Sequence, residues 1–142
     1  MDETIRFEIV TPARLMLMED VPLVVLPGEG GNFGVLPGHA PLLSSLRPGT
    51  IETYDSKMKV TRQIFIETGF AEVTPERCTV MAEEAIPVQE ITRDYAEERL
   101  KKATDALMVA ETFGVRIGAE RELRAAEAMI EALDARERPG IS

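Results

Sequence analysis

Two side chains suited to nucleophilic or metal chemistry occur once each in these 142 residues: His39 and Cys78. A histidine base needs a nucleophile within reach and a third group to orient it. Cys78 lies in Arg77-Cys78-Thr79-Val80, a strand-like run with no activating surroundings. One histidine and one cysteine are too few for a structural zinc site. Glu83-Glu84 and Glu97-Glu98 are adjacent carboxylates, but sequence neighbours point apart on a strand and fan out around a helix. They read as solvated. No catalytic residue, metal site or cofactor is expected.

Phosphate binding is the next chemistry to test, because Leu26–Gly49 (LPGEGGNFGVLPGHAPLLSSLRPG) holds six glycines and four prolines. A dinucleotide fingerprint needs glycine at its first, third and sixth positions, at a strand-to-helix junction. Counted from Gly28, the sixth position is Phe33, and Pro37 and Pro41 forbid a following helix. Glu29 would repel a phosphate. The stretch reads instead as tight turns between short strands, Phe33–Leu36 among them, with Leu42, Leu43 and Leu46 returning to a core.

The elements around this stretch are mostly strands. Ile5, Phe7 and Ile9 alternate with Arg6 and Glu8, the period of a half-buried strand. Leu15–Met18, Val21–Leu26, Thr50–Tyr54, Met58–Ile66, Ala71–Val73 and Cys78–Ala82 complete the pattern, with a hairpin turn at Asp55-Ser56. Short strands with frequent turn signals predict an all-β sandwich over residues 1–86. Past Pro87 the period changes. Thr92 reads as an N-cap. Ala96, Leu100, Ala103, Leu107 and Ala110 make one apolar stripe, and Ala119, Leu123, Ala126, Ile130 and Leu133 make another. A turn over Thr112–Gly118 joins them into an antiparallel helical hairpin over 91–138, ended by Pro139-Gly140. The fold class is therefore α+β.

Charge and composition exclude several partners. The net charge is −9 without a basic stripe, which disfavours nucleic acid and anionic lipid. No apolar run reaches the length of a membrane span. Asp2 and Glu3, ahead of a strand pattern, do not read as a leader peptide. The single cysteine fits a reducing compartment.

PGEGGNFGVLPGHAPLLSSLRPG, residues 27–49, resembles the signature of the epsilon subunits of the F-type ATP synthase, bacterial type (delta in mitochondria). TGFAEVTPERCTVMAEEAIPVQEI, residues 68–91, resembles that family's closing strands. The last third matches in layout, with looser sequence. The resemblance implies a non-catalytic rotor subunit in the central stalk, coupling proton-driven rotation of the membrane ring to ATP synthesis. It places the 1–86 domain against the gamma subunit and the rotor ring of c subunits. It makes the hairpin a regulatory domain that restrains ATP hydrolysis and can reach the alpha and beta subunits.

The resemblance also implies a peripheral position on the cytoplasmic face of the plasma (inner) membrane, without direct insertion. The Glu29, Gly30, Gly31 and Asn32 turn, by sequence alone a solvent turn, becomes the rotor-ring contact. His39, Pro41 and Leu42 become the gamma contact, with a purely structural role for His39 standing beside it. Some bacterial members bind ATP at the hairpin. Over residues 117–138 here, Arg121, Arg124, Arg136 and Arg138 face six acids, so no nucleotide site is expected. A free-standing adaptor or chaperone-like module of the same architecture is the alternative.

Overall fold

The computed structural model describes residues 4–137 as ten strands and two helices. Asp2, Glu3, Arg138 and the Pro139-Gly140 stop lie outside the described residues. The chain divides into two compact units, residues 1–87 and 88–142.

In the first unit the strands are β1 (Ile5–Val10), β2 (Leu15–Val21), β3 (Leu23–Gly28), β4 (Gly31–Val35), β5 (Leu42–Leu46), β6 (Gly49–Tyr54), β7 (Val60–Ile66), β8 (Gly69–Val73), β9 (Arg77–Ala82) and β10 (Ala85–Pro87). They run in the order β10-β7-β6-β3-β5-β8-β9-β1-β2, with β4 paired to β3 off that path. Strands β1 and β9 are parallel and every other pairing is antiparallel. Only Gly28 and Leu46 pair between β3 and β5, so the sheet turns its corner there and folds over into a sandwich.

The alternation expected of β1 is present, with Ile5, Phe7 and Ile9 buried. They meet Val24, Leu26, Ile51, Ile66, Val73 and Val80 in one apolar core. Burial of these side chains supplies most of the stability, at about 25 cal/mol per Å².

Several expected boundaries move. Val21 ends β2 and Leu23 begins β3, because Pro22 cannot donate to a ladder. Met58 belongs to a turn, not to β7. Asp55 accepts from the amides of Lys57 and Lys59 at 2.8 and 3.0 Å, and Met58 takes φ 62°. Gly69 and Phe70 lie inside β8, where Gly69 pairs with Leu46 and Ala82. Beyond β9, β10 pairs with β7 and carries the strand pattern through Pro87. Leu42 and Leu43 do not enter the core. They are 37% and 64% exposed, and only Leu46 at the far end of β5 is buried.

The second unit opens with a 3-10 turn, Val88–Glu90, followed by α1 (Arg93–Met108) and α2 (Phe113–Glu137). Thr92 caps α1 as expected, its Oγ1 accepting from the Tyr95 amide at 3.2 Å. The connecting turn is shorter than the glycines suggest. Thr112 Oγ1 accepts from the Val115 amide at 3.2 Å, and the helix starts at Phe113. Gly114 and Gly118 therefore sit inside α2. Ala96, Ala103, Ala119, Ala126 and Leu133 of the two stripes are buried, joined by Ala125 and Met129. Arg99 donates to Glu122 at 2.9 Å and Arg93 to Asp134 at 2.8 Å, crossing from one helix to the other.

Candidate functional site

The residues able to do covalent chemistry are not assembled. Cys78 is fully buried in β9, and burial pushes its thiol up to about 12, so no thiolate is available near neutral pH. Glu83, Glu84, Glu97 and Glu98 are exposed. Among the described residues no group of histidine, cysteine and acidic side chains could hold a metal.

The Glu29–Asn32 turn is built by close backbone approach. Gly28 pairs with Gly31, leaving Glu29 and Gly30 as a two-residue connection between β3 and β4. A Cβ on Gly28 would lie 2.8 Å from the Gly31 carbonyl oxygen and 2.9 Å from the Phe33 ring, so only glycine fits. Gly31 takes φ 136°, which a side chain would strain. Glu29, Gly30, Gly31 and Asn32 are all exposed.

Polar ties anchor this tip to β5 and the loop after it. The Glu29 amide donates to Ser45 O at 3.3 Å and the Arg47 amide to Pro27 O at 2.9 Å. The Arg47 guanidinium donates from one nitrogen to Gly28 O at 2.6 Å and from the other to Asn32 Oδ1 at 2.7 Å.

His39, Pro41 and Leu42 lie together at the opposite end of β5. Gly38, at φ 85°, donates its amide to Pro75 O at 2.8 Å, and the His39 amide donates to Leu36 O at 3.1 Å. The first bond fastens the loop to the turn between β8 and β9, and the second closes the loop on itself. His39 Nδ1 donates to the Ala40 carbonyl at 2.7 Å, since a carbonyl oxygen can only accept. Leu36 is 55% exposed beside the exposed Leu42 and Leu43. The two groups are separated by the length of β5, four steps of about 3.3 Å each.

Strand pairing exposes a surface that the sequence reading did not single out. Phe70 pairs with Met81, Met81 with Val10, and Val10 with Leu15, an apolar row across β8, β9, β1 and β2. Their strand neighbours Ala71, Val80, Ala82 and Ile9 point into the core, so this row faces out, and Phe70, Met81 and Leu15 are all exposed. The next row is Leu43, Glu72, Thr79, Glu8 and Met18. Leu43 and Met18 are exposed at its ends, and Thr79 donates to Glu8 at 3.0 Å within it. Apolar residues on both faces of β8 and β9 were the available signal. Exposed apolar side chains in register across four strands make this face a candidate interaction surface.

In the second unit, apolar exposure concentrates at the hairpin turn. Met108, Val109 and Phe113 are 79%, 74% and 78% exposed.

Comparison with known proteins places these features in a family. Residues 4–88 match the family described as ATP synthase, Delta/Epsilon chain, beta-sandwich domain. The ATP synthase epsilon chain of Rhodospirillum rubrum is 46% identical over 132 residues, covering 93% of this chain and 98% of the relative. That of Paramagnetospirillum magneticum is 47% identical over 133 residues, covering 94% and 99%. Among solved structures, a chain of the Euglena gracilis mitochondrial ATP synthase superposes with TM-score 0.82 at 27% identity, covering 94% of this chain and 83% of that one. A chain from the central stalk and ring of the Tetrahymena thermophila mitochondrial enzyme shares the fold, with TM-score 0.70 at 14% identity over 90% and 95% of the two chains.

Proposed function

The chain belongs to the delta/epsilon family of ATP synthase chains, and we propose that, as a rotor subunit of the central stalk, it ties the gamma subunit to the membrane ring through two separate contacts on its β domain. The observation that carries this reading is the separation along β5. A polar turn, Glu29–Asn32, stands at one end, and the His39, Pro41 and Leu42 group stands at the other. One rigid domain can then hold two partners at once, which is what transmission of rotation requires.

The polar turn suits the polar loops of a ring of c subunits. The His39 group, continued by Leu36, Leu43 and the Phe70–Met81–Val10–Leu15 row, suits an apolar surface on gamma. In this reading the subunit carries out no chemistry of its own, and its membrane association is peripheral, through the ring on the cytoplasmic face. No helix among the described residues is long and apolar enough to cross a membrane. The exposed apolar turn of the hairpin suits contact with the alpha and beta subunits and a restraining role in ATP hydrolysis.

Cysteine crosslinking in the assembled enzyme tests the two contacts. Cys78 is buried and does not interfere. Gly30→Cys is expected to crosslink to a c subunit and not to gamma, and His39→Cys to gamma and not to the ring. The reverse pattern, or both positions reaching one partner, would overturn the assignment.

A further inference from the structure

We propose that Arg47 is the positioning residue of the polar turn, holding Glu29–Asn32 stiff enough to bear load; this rests on the turn being the rotor-ring contact. Beyond Arg47 the turn is held by the β3–β4 ladder and by one backbone tie, from the Glu29 amide to Ser45 O at 3.3 Å. Its strand β4 pairs with β3 alone, off the main path of the sheet. A Cβ built on Gly30 or Gly31 meets nothing within 4 Å, so these two positions face open space. A glycine connection of this kind is free to move unless polar ties fix it.

Arg47 supplies those ties from a half-buried position, from both sides of the turn at once. Its Nη1 donates to Gly28 O at 2.6 Å, where the turn leaves β3. Its Nη2 donates to Asn32 Oδ1 at 2.7 Å, where the chain enters β4. Its own amide donates to Pro27 O at 2.9 Å, so the guanidinium is mounted on the strand it braces. A planar fork can span two acceptors in fixed directions, and an ammonium cannot. The geometry also gives Asn32 a second use inside the turn, since its side-chain oxygen accepts the second arm of the guanidinium. A contact that passes torque must be stiff, since a loose loop yields before the ring follows.

The test uses the assembled ATP synthase in sealed vesicles carrying the full-length chain, read as protons pumped per ATP hydrolysed. It is paired with backbone amide order parameters of Gly30 and Gly31 in the isolated chain. Arg47→Ala is expected to take those order parameters from the rigid range, about 0.85, to below about 0.6, with β6 and β7 unchanged. Pumping per ATP is expected to fall at least twofold. Arg47→Lys and Asn32→Ala, which each keep part of the brace, are expected to fall between; should Arg47→Ala misfold, the Gly30 and Gly31 order parameters of Asn32→Ala decide, because Asn32 also belongs to the ring contact and its pumping alone does not.

Glu29→Lys separates the two claims. If it pumps normally, the ring contact itself fails, and this inference fails with it. If Glu29→Lys uncouples while the Arg47 and Asn32 variants keep a rigid turn or full pumping, the assignment of Arg47 alone is overturned.

Discussion

At the scale of single residues, Cys78 and Gly28 show how side-chain type follows from surroundings rather than from chemistry. The Cys78 thiol is raised from 9.0 to about 12 by burial alone. A group held neutral in the fold adds stability that is fully present below its unfolded pKa. That stability is lost as pH climbs from about 9 towards 12. Over that window the linked loss reaches roughly 4 kcal/mol. Tyr54, raised by burial and by its bond to Glu52, adds to the same slope. The Cys78→Ala variant is therefore expected to lose stability less steeply than the parent between pH 8 and pH 11, measured as urea midpoints. Equal slopes would remove Cys78 from the alkaline response. Gly28→Ala places a methyl group 2.8 Å from a carbonyl oxygen, a clash with backbone that cannot swing away. It is expected to cost about 1–3 kcal/mol, the range for overpacking; a urea midpoint within error of the parent would contradict the close approach.

At the scale of elements, what was legible in the sequence followed from periodicity, and what was not followed from competing local chemistry. The period-2 strand β1 and the Thr92 cap stand where expected, because burial and capping act within a few residues. Sandwich and hairpin were both legible for that reason. The start of α2 was not. Gly114 and Gly118 signal a turn, yet the Thr112 cap and the pairing with α1 outweigh their helix cost of about 1 kcal/mol each. Leu42 and Leu43 misled in another way. Alternation cannot say which face of β5 is buried until its partner β8 is known. The apolar row across β8, β9, β1 and β2 and the Arg47 brace likewise depend on pairings far apart in sequence. The helical glycines carry a prediction. A Cβ at either meets nothing within 4 Å, so Gly114→Ala and Gly118→Ala are each expected to stabilise the hairpin by about 0.5–1 kcal/mol. Thermal unfolding followed at 222 nm reads this, and a lowered midpoint would mean these glycines serve a conformation other than the continuous helix.

At the scale of the whole molecule, the division after Pro87 separates the strands and their main apolar cluster from the two helices. Every residue of the main apolar cluster, Ile5 to Ala85, lies in the first unit, and β10 closes its last ladder on β7. All strand pairings among the described residues lie within residues 5–87. The second unit is different. Alanines fill much of its helix seam, and small side chains bury little apolar area. The cross-helix ion pairs Arg99–Glu122 and Arg93–Asp134 are largely exposed on their acidic sides and contribute at most about 1 kcal/mol each. An alanine-rich seam tied by exposed ion pairs leaves the two helices weakly held to each other. A chain truncated after Val88 is accordingly expected to unfold in a single cooperative urea transition and to bind gamma with an affinity within about threefold of the full chain. Added salt is expected to lower the helical signal of the full chain while leaving the strand signal in place, since screening reaches exposed pairs and not the core. A truncated chain that fails to unfold cooperatively would show that the helices complete the β domain. One that folds but no longer binds gamma would move the gamma contact from the sandwich to the hairpin.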